Sequence, residues 1–532
     1  MLLLFAGQLT TTACIISLLL GIAALTKTLG KHWRTNTPSF IAPLYWSIFM
    51  ILYGYMASPP PWFRDSLTYH LSLAKHYSNT GSYAPTDEVL FAYFPQGWQS
   101  ILAFFHRSGQ GFEINPRFIT VMLTLACAAG IVSSFKGPQK IIGYCGGALF
   151  LVVPTVIEFG SSCYVMSWLS LLSIAWVKSL CKGWNYRASV ILGLMLSVKY
   201  SALFWVLPAL FLWRQSKDWR FLGIAALIGS PWYLFNLLRK GNPLFPLAYE
   251  LFGGEGWDLQ RASAYSVTLD NYGLGRDGID YLLLPWRFLT TVDIQQGFQG
   301  SVGPAIAVLI AVPLWRNKKI NLPIKLGICW MILWSLQVHQ IRFAIPGIAV
   351  LFVGAMHSRP PKWSALISAA IALIWLINPL NYLWQRQAQA YQHSGNTEHG
   401  SAFFLRHQLP ENYPIYEQLN AQNSVGKVWL VWMRGYHYYL NKPVRIDNIF
   451  GAHRFEQMLL KPKEEIVQEL KSEKITHLAI NHRFFLVDGN ADHWGERATL
   501  ELSQKFNSLI AERKFLPRYQ HRSVIVYEVT SE

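Results

Sequence analysis

The chain has 532 residues, of which 52% are hydrophobic and only 14% charged, with 22 tryptophans and a net charge of +17. Ordinary soluble proteins carry about 25% charged residues, so the length does not translate into three or four water-soluble domains. Nucleic acid is a poor explanation for the basic excess, because the lysines and arginines of the first 384 residues come in small clumps between hydrophobic runs, as cytoplasmic loops of membrane proteins do.

A first span is expected over Leu2–Leu25, too long for a signal-peptide core and without a clear cleavage site. Lys27, Lys31 and Arg34 follow it, which puts that loop inside and sends the second span, Pro43–Ala57, outward. Three prolines then forbid the helix from continuing. The stretch SPPPWFRDSLTYHLSLAKHY therefore begins at the outer membrane surface, with Asp65 at the level of the lipid headgroups. Leu67, Leu71 and Ala74 fall on one side of an amphipathic helix, leaving Asp65, Tyr69, His70 and Lys75 available to a polar partner. The plainer alternative makes Asp65 the N-cap of that helix. Further along the same loop, VLFAYFPQGWQSILAFF reads as a second interfacial helix with Trp98 at headgroup depth; Asp87 and Glu88 are its exposed acidic start.

Spans follow at Phe118–Phe135, Ile141–Ile157 and Ser161–Val177, with Lys136, Lys140, Lys178, Lys182 and Arg187 inside and Glu158 outside. To keep Arg214, Lys217 and Arg220 inside, 188–213 must be two half-helices turning at SVKYS, which brings Lys199 and its neighbour Tyr200 to the outer face. A lysine in an apolar stretch costs roughly 2.5–3.5 kcal/mol at a helix centre, so it is paired, snorkelling or functional. The span Phe221–Leu238 leads to an outer loop over 239–300 whose Gly, Pro and Asp clusters signal tight turns. Four more spans, Ser301–Trp315, Leu322–Val338, Phe343–Met356 and Trp363–Trp384, bring the count to about 12. The loop Arg316, Lys318, Lys319 and Lys325 is inside, as are His357, Arg359 and Lys362, so His339 and Arg342 lie outside with Asp65 and Lys199.

Residues 385–532 form a polar outer domain. KVWLVWM, KITHLAIN and VIVYEV read as strands, and FEQMLLKPKEEIVQELKSE has helical spacing, which gives a small α/β fold. It shows no Gly-rich phosphate fingerprint. The six cysteines, Cys14, Cys127, Cys145, Cys163, Cys181 and Cys329, lie in or beside apolar runs, which indicates neither a disulfide framework nor a zinc site. No N-x-[ST] sequon occurs, which favours a bacterial inner membrane with the C-terminal domain extracytoplasmic.

RDSLTYHL in the first outer loop, SVKYSALF, SPWYLFNLLRKGNPLFPL, GPAIAVLI and QIRFAIPG occur in that order on one membrane face. In this the chain resembles the GT-C type polytopic glycosyltransferases, relatives of the protein mannosyltransferases and the lipid A aminoarabinose transferases, over Asp65–Gly347. The resemblance implies a mainly α transmembrane bundle over 1–384 with outer loops 58–117 and 239–300. It also implies transfer of a sugar, with inversion, from a polyprenyl-phosphate donor to a lipid or glycan acceptor at the outer face. Asp65 matches the family's base or metal ligand. A carboxylate there takes the acceptor's proton, while Lys199, Arg239 and Arg342 clamp the leaving phosphate. Tyr69, His70, Tyr200 and His339 complete the substrate-binding set. The chain has Met166 where an acidic residue is expected, and Glu158 is the substitute in catalysis or in holding a divalent metal, Mg or Mn; otherwise Glu158 is a solvated turn residue. A flippase of lipid-linked saccharides and a lipid-linked saccharide polymerase or ligase are the competing readings.

Overall fold

The computed structural model describes residues 41–108, 115–136, 139–216, 218–291, 297–308, 311, 320–358, 361–391, 400–447, 454–486 and 495–530. The expected first span with Lys27, Lys31 and Arg34, residues 309–310 and 312–315 of the span Ser301–Trp315, the loop residues Arg316, Lys318 and Lys319, Lys217, Arg359 and Cys14 lie outside these residues. The chain divides into two compact units, a helical one (1–61, 76–83 and 93–389) and a sheet unit (62–75, 84–92 and 390–532).

The helical unit contains α1 (Ile41–Ala57), α2 (Leu71–Thr80, whose first residues count with the sheet unit), α3 (Gly97–Ser108), α4 (Arg117–Val132), α5 (Lys140–Leu151), α6 (Pro154–Phe159), α7 (Met166–Cys181) and α8 (Asn185–Leu196). After a 3-10 turn at Tyr200–Trp205 come α9 (Val206–Ser216), α10 (Trp219–Lys240), the loop helices α11 (Tyr249–Phe252), α12 (Leu259–Asp270) and α13 (Gly278–Thr290), then α14 (Leu322–Ser335), α15 (Ile345–His357) and α16 (Lys362–Tyr391). By length and composition α10 is the one described helix able to cross a membrane, against about 12 expected spans; the other apolar helices among the described residues run 10–17 residues. Local sequence accounts for the short lengths. Pro154 opens α6 after an extended Val153, and Lys199, extended at φ −163°, separates α8 from the next turn as the charge pattern requires. The α10 helix is closed at both ends, by Asp218 accepting from the Arg220 amide and by Gly241 in the left-handed region. Its Leu227, Leu234, Leu237 and Leu238 are exposed, as are Leu366, Leu373, Ile374 and Ile377 on α16, an outward apolar face suited to lipid.

Packing within this unit depends on small residues that let helices approach closely. A Cβ on Gly347 of α15 would stand 2.4 Å from Trp330 Cδ1 of α14, and one on Gly327 would stand 2.6 Å from Leu351. Gly193 of α8 and Gly229 of α10 play the same part for that pair, against Ile228 and Leu196.

Three expectations about the first outer loop are corrected. Asp65 makes no side-chain cap bond, because the helix starts as a π-helical turn, Ser66–His70, with Asp65 itself in helical geometry. His70 is buried, since the wider turn rotates it inward along with Leu67. Trp98 is fully buried, its Nε1 donating to the Cys163 carbonyl at 2.9 Å, because Pro95 breaks the expected interfacial helix into a 3-10 turn and α3.

In the sheet unit, α17 (Gly400–Gln408) and α18 (Tyr413–Ala421) precede β1 (Lys427–Val431) and β2 (Val444–Ile446). The chain continues through α19 (Arg454–Leu459), α20 (Lys463–Ser472), β3 (Ile475–Asn481), α21 (Gly495–Ala511), β4 (Phe515–His521) and β5 (Val524–Val529). The order is β2-β1-β3-β5-β4, with β1 parallel to β2 and β3, and β5 antiparallel to β3 and β4. Trp429, Phe455, Ile466, Leu478, Leu502 and Phe506 belong to its core. Pro462 splits the single helix expected over 455–473 into α19 and α20. The RDSLTYHL segment belongs to this unit through Leu67, which clusters with Phe404, Leu405 and Leu409, joined by Trp62, Tyr413, Tyr436, Tyr438 and Tyr439.

Candidate functional site

In the helical unit three turns are tied together by hydrogen bonds. The Thr155 amide and hydroxyl both donate to the Ser301 carbonyl, at 3.0 and 2.6 Å, and the Ser301 amide donates back to Thr155 Oγ1 at 2.9 Å. Next to them the Ile341 amide donates to the Phe298 carbonyl at 2.9 Å. Gly300 is required here, because its φ is +155° and a Cβ would stand 2.8 Å from Thr155 Oγ1. These bonds fix α6 beside the 3-10 turn Ile341–Ala344, which carries Arg342.

The Arg342 guanidinium lies 5.0 Å from the Tyr164 ring, 5.1 Å from Phe343 and 5.8 Å from Phe159. Lys199 Nζ lies 4.1 Å from the same Phe343 ring. Two cations from segments more than a hundred residues apart thus share one aromatic ring, and an anion placed against both lowers their mutual repulsion. Glu158 precedes Phe159 on α6 and is buried, so it is no solvated turn residue.

The remaining residues of this unit are arranged differently. The Tyr200 hydroxyl is engaged by protein groups, donating toward the Phe245 and Tyr93 carbonyls at 3.0 and 3.3 Å and accepting from Asn236 Nδ2 at 2.9 Å. Arg239 is exposed at the end of α10, 5.9 Å from the Phe235 ring. His339 is buried, with Nε2 2.7 Å from the Ser335 carbonyl oxygen; a Cβ on Gly273 would stand 2.6 Å from its Nδ1, so it packs under the loop that carries Gly273. Sequence reading missed Phe343 and Tyr164, which carry no charge and resemble any other core aromatics.

In the sheet unit, Asp65 Oδ2 accepts a hydrogen bond from the Tyr69 hydroxyl at 3.0 Å, and the Tyr69 ring stacks on Phe91 with centroids 4.4 Å apart. Tyr436 stands in electrostatic reach of Arg64, Arg434 and Asp65; burial pushes its phenol up, and the two arginines act against that. Lys75 donates to the Tyr438 carbonyl at 2.9 Å and to Asn441 Oδ1 at 2.7 Å, and burial lowers its ammonium below the usual lysine range. It joins two segments of the sheet unit. Among the described residues no group of three or more His, Cys, Asp or Glu side chains has the arrangement to hold a metal ion. No step below runs through the divalent ion expected at Asp65 and Glu158.

Comparison with known proteins bears on the fold. A family model described as SF2091/S2213 matches residues 402–509. No curated protein matches the sequence. The crystal structure of ArnT from Cupriavidus metallidurans in the apo state superposes with a TM-score of 0.56 at 12% identity, covering 92% of this chain and 97% of that one. The same protein bound to undecaprenyl phosphate gives 0.57 at 12% identity, covering 93% and 99%. The archaeal oligosaccharyltransferase AglB from Archaeoglobus fulgidus, in complex with an inhibitory peptide and a dolichol-phosphate, gives 0.41 at 12% identity, covering 92% and 74%. Over more than nine-tenths of its length, the chain has the fold of ArnT.

Proposed function

We propose that this chain is an integral membrane glycosyltransferase that moves a sugar from a polyprenyl-phosphate donor to a lipid or glycan acceptor at the outer face of a bacterial inner membrane. The observation that carries the reading is the pair Lys199 and Arg342 over Phe343, at the break between two short apolar helices, in a chain with the fold of a protein crystallised with undecaprenyl phosphate. In the reaction the acceptor oxygen attacks the anomeric carbon and inverts it. As that bond forms, the acceptor proton passes to the Asp65 carboxylate, oriented by Tyr69. The bond from the anomeric carbon to the phosphate oxygen breaks, and its electrons leave as charge on the polyprenyl phosphate. Lys199 and Arg342 stabilise that charge more in the transition state than in the bound donor, which is the condition for accelerating the chemical step. Glu158 and Arg239 are assigned to the same reaction, Glu158 as a second acid and Arg239 as an outer contact for the carrier.

Reconstitution of the full chain with a polyprenyl-phosphate sugar and an acceptor tests this. Release of polyprenyl phosphate is expected, with Asp65→Asn reducing it by about 10²–10⁴. Unchanged turnover in Asp65→Asn rejects the base. Saccharide crossing the bilayer without a new glycosidic bond makes the protein a flippase, and transfer of a preassembled saccharide makes it a polymerase or ligase.

A further inference from the structure

Parallel sheets collect ligands at the carboxyl ends of their strands, where loops are not committed to the core. In the sheet unit β1 and β3 run parallel, and the described residues that directly follow their carboxyl ends are 432–443 and 482–486. Each supplies an exposed arginine: the Arg434 and Arg483 guanidinium groups lie 5.3 and 5.5 Å from the same Phe484 ring. The first loop is held in a costly shape, with Trp432, Arg434 and Gly435 at φ +58°, +56° and +68°. Asn412 Nδ2 donates to its Met433 carbonyl at 3.0 Å. Where the loop meets the RDSLTYHL segment, a Cβ on Gly435 would stand 3.4 Å from Thr68 Cγ2. Tyr436 packs on the Leu67 cluster within electrostatic reach of both Arg434 and Asp65. One unit thus carries a pair of arginines on an aromatic ring and, through Tyr436, the carboxylate assigned above as the base.

We propose that Arg434 and Arg483, with Tyr436 and Phe484, form the acceptor-recognition site of the enzyme and that this site takes an anionic saccharide, one bearing a carboxylate or phosphate group. This rests on the transferase reading. A guanidinium carries five N–H donors in a planar fork, so Arg434, which also bonds the Tyr436 hydroxyl, keeps donors for a planar anion, which a neutral sugar does not exploit. Arg483 already meets Glu411 at 3.6 Å, but its side chain is 67% exposed, and so weak a pair yields to a better anion. Phe484, which both guanidinium groups approach, adds an aromatic ring beside the anion.

The test is equilibrium binding to the full chain in lipid nanodiscs, at fixed salt, of a uronic-acid disaccharide, of maltose as the neutral counterpart, and of inorganic phosphate. The uronate disaccharide is expected to bind at least about tenfold tighter than maltose, and Arg434→Gln or Arg483→Gln to remove about tenfold for the uronate and nothing for maltose. Competition by inorganic phosphate assigns the site to phosphate-bearing saccharides as well; absence of competition restricts it to carboxylates. Equal affinity for the two disaccharides, or unchanged uronate binding in both variants, overturns the proposal. Binding does not depend on turnover. Loss of this binding preference in a chain that still releases polyprenyl phosphate removes the acceptor site alone, whereas arginine-dependent binding in a chain without turnover removes the transferase reading and leaves the anion site.

Discussion

Arg117 opens α4 as a buried cation whose guanidinium is surrounded by backbone carbonyls. Its Nε donates to the Ser161 carbonyl at 2.5 Å, Nη1 to Pro59 at 3.0 Å and Nη2 to Met56. Two of these carbonyls belong to the end of α1 and the proline turn after it, where the helix has orphan acceptors that the following prolines, lacking N–H groups, cannot satisfy. In Arg117→Met the Pro59 carbonyl keeps a donor, Asn115 Nδ2 at 2.8 Å, while the Ser161 and Met56 carbonyls lose theirs. A hydrogen bond to a charged group contributes about 1.5–3 kcal/mol, so losing two costs about 3–6 kcal/mol. Arg117→Lys reaches one carbonyl at a time and recovers about half of that. Unfolding of the purified chain in mild detergent, by heat and by SDS titration, reads the difference through tryptophan fluorescence. A loss below about 1 kcal/mol in Arg117→Met would mean that water already satisfies these carbonyls, and the clasp would have no energetic meaning.

Four other outcomes are expected. Gly347→Ala drives a methyl to 2.4 Å from Trp330 Cδ1, and Trp330 is fully buried with Nε1 bonded to the Phe343 carbonyl at 2.9 Å. It should cost about 1–3 kcal/mol by overpacking and, by displacing Phe343, weaken donor binding in the same assay. Asp447 and Glu456 in the sheet unit are both held above the usual carboxylate range, chiefly by burial, with Asp447 raised further by Glu456. Their folded forms bind protons more tightly than the unfolded chain does. The stability this confers is full below about pH 4, and it is lost as pH rises through the folded values at about 1.4 kcal/mol per pKa unit; Asp447→Asn should flatten that fall in denaturant titrations at successive pH values. Tyr69→Phe removes the 3.0 Å bond to Asp65 and should lower kcat while leaving polyprenyl-phosphate binding unchanged; equal loss of both would make Tyr69 a structural residue. Turnover should survive treatment with EDTA, and its loss, restored by Mg or Mn, would return Asp65 and Glu158 to the role of metal ligands.

The elements read correctly from sequence are those whose signal is local. The break at SVKYS followed from the sign of the flanking charges, and the strands at 427–431, 475–481 and 524–529 from short apolar runs bounded by polar residues. Strand β4 escaped notice because FLPRYQH alternates too little and contains a proline, which an edge strand tolerates and a sequence pattern penalises. His70 escaped for a subtler reason: its burial depends on a π-helical turn, and one extra residue in a turn moves every later side chain off the 3.6-residue face.

Tyr200 and Phe343 show where chemistry alone misleads. Tyrosine beside lysine at an outward turn looked like ligand recognition, yet its hydroxyl serves the backbone of two other segments. Phe343 looked like filler, yet it is the surface on which two cations meet. A polar side chain is legible as functional only when its partners are known, and those partners lie tens to hundreds of residues away in this chain. The same logic makes the arginine pair at Phe484 the more informative feature of the sheet unit. Its two members come from loops after different strands, so no local pattern of residues requires them to share a ring, whereas recognition of one anion would.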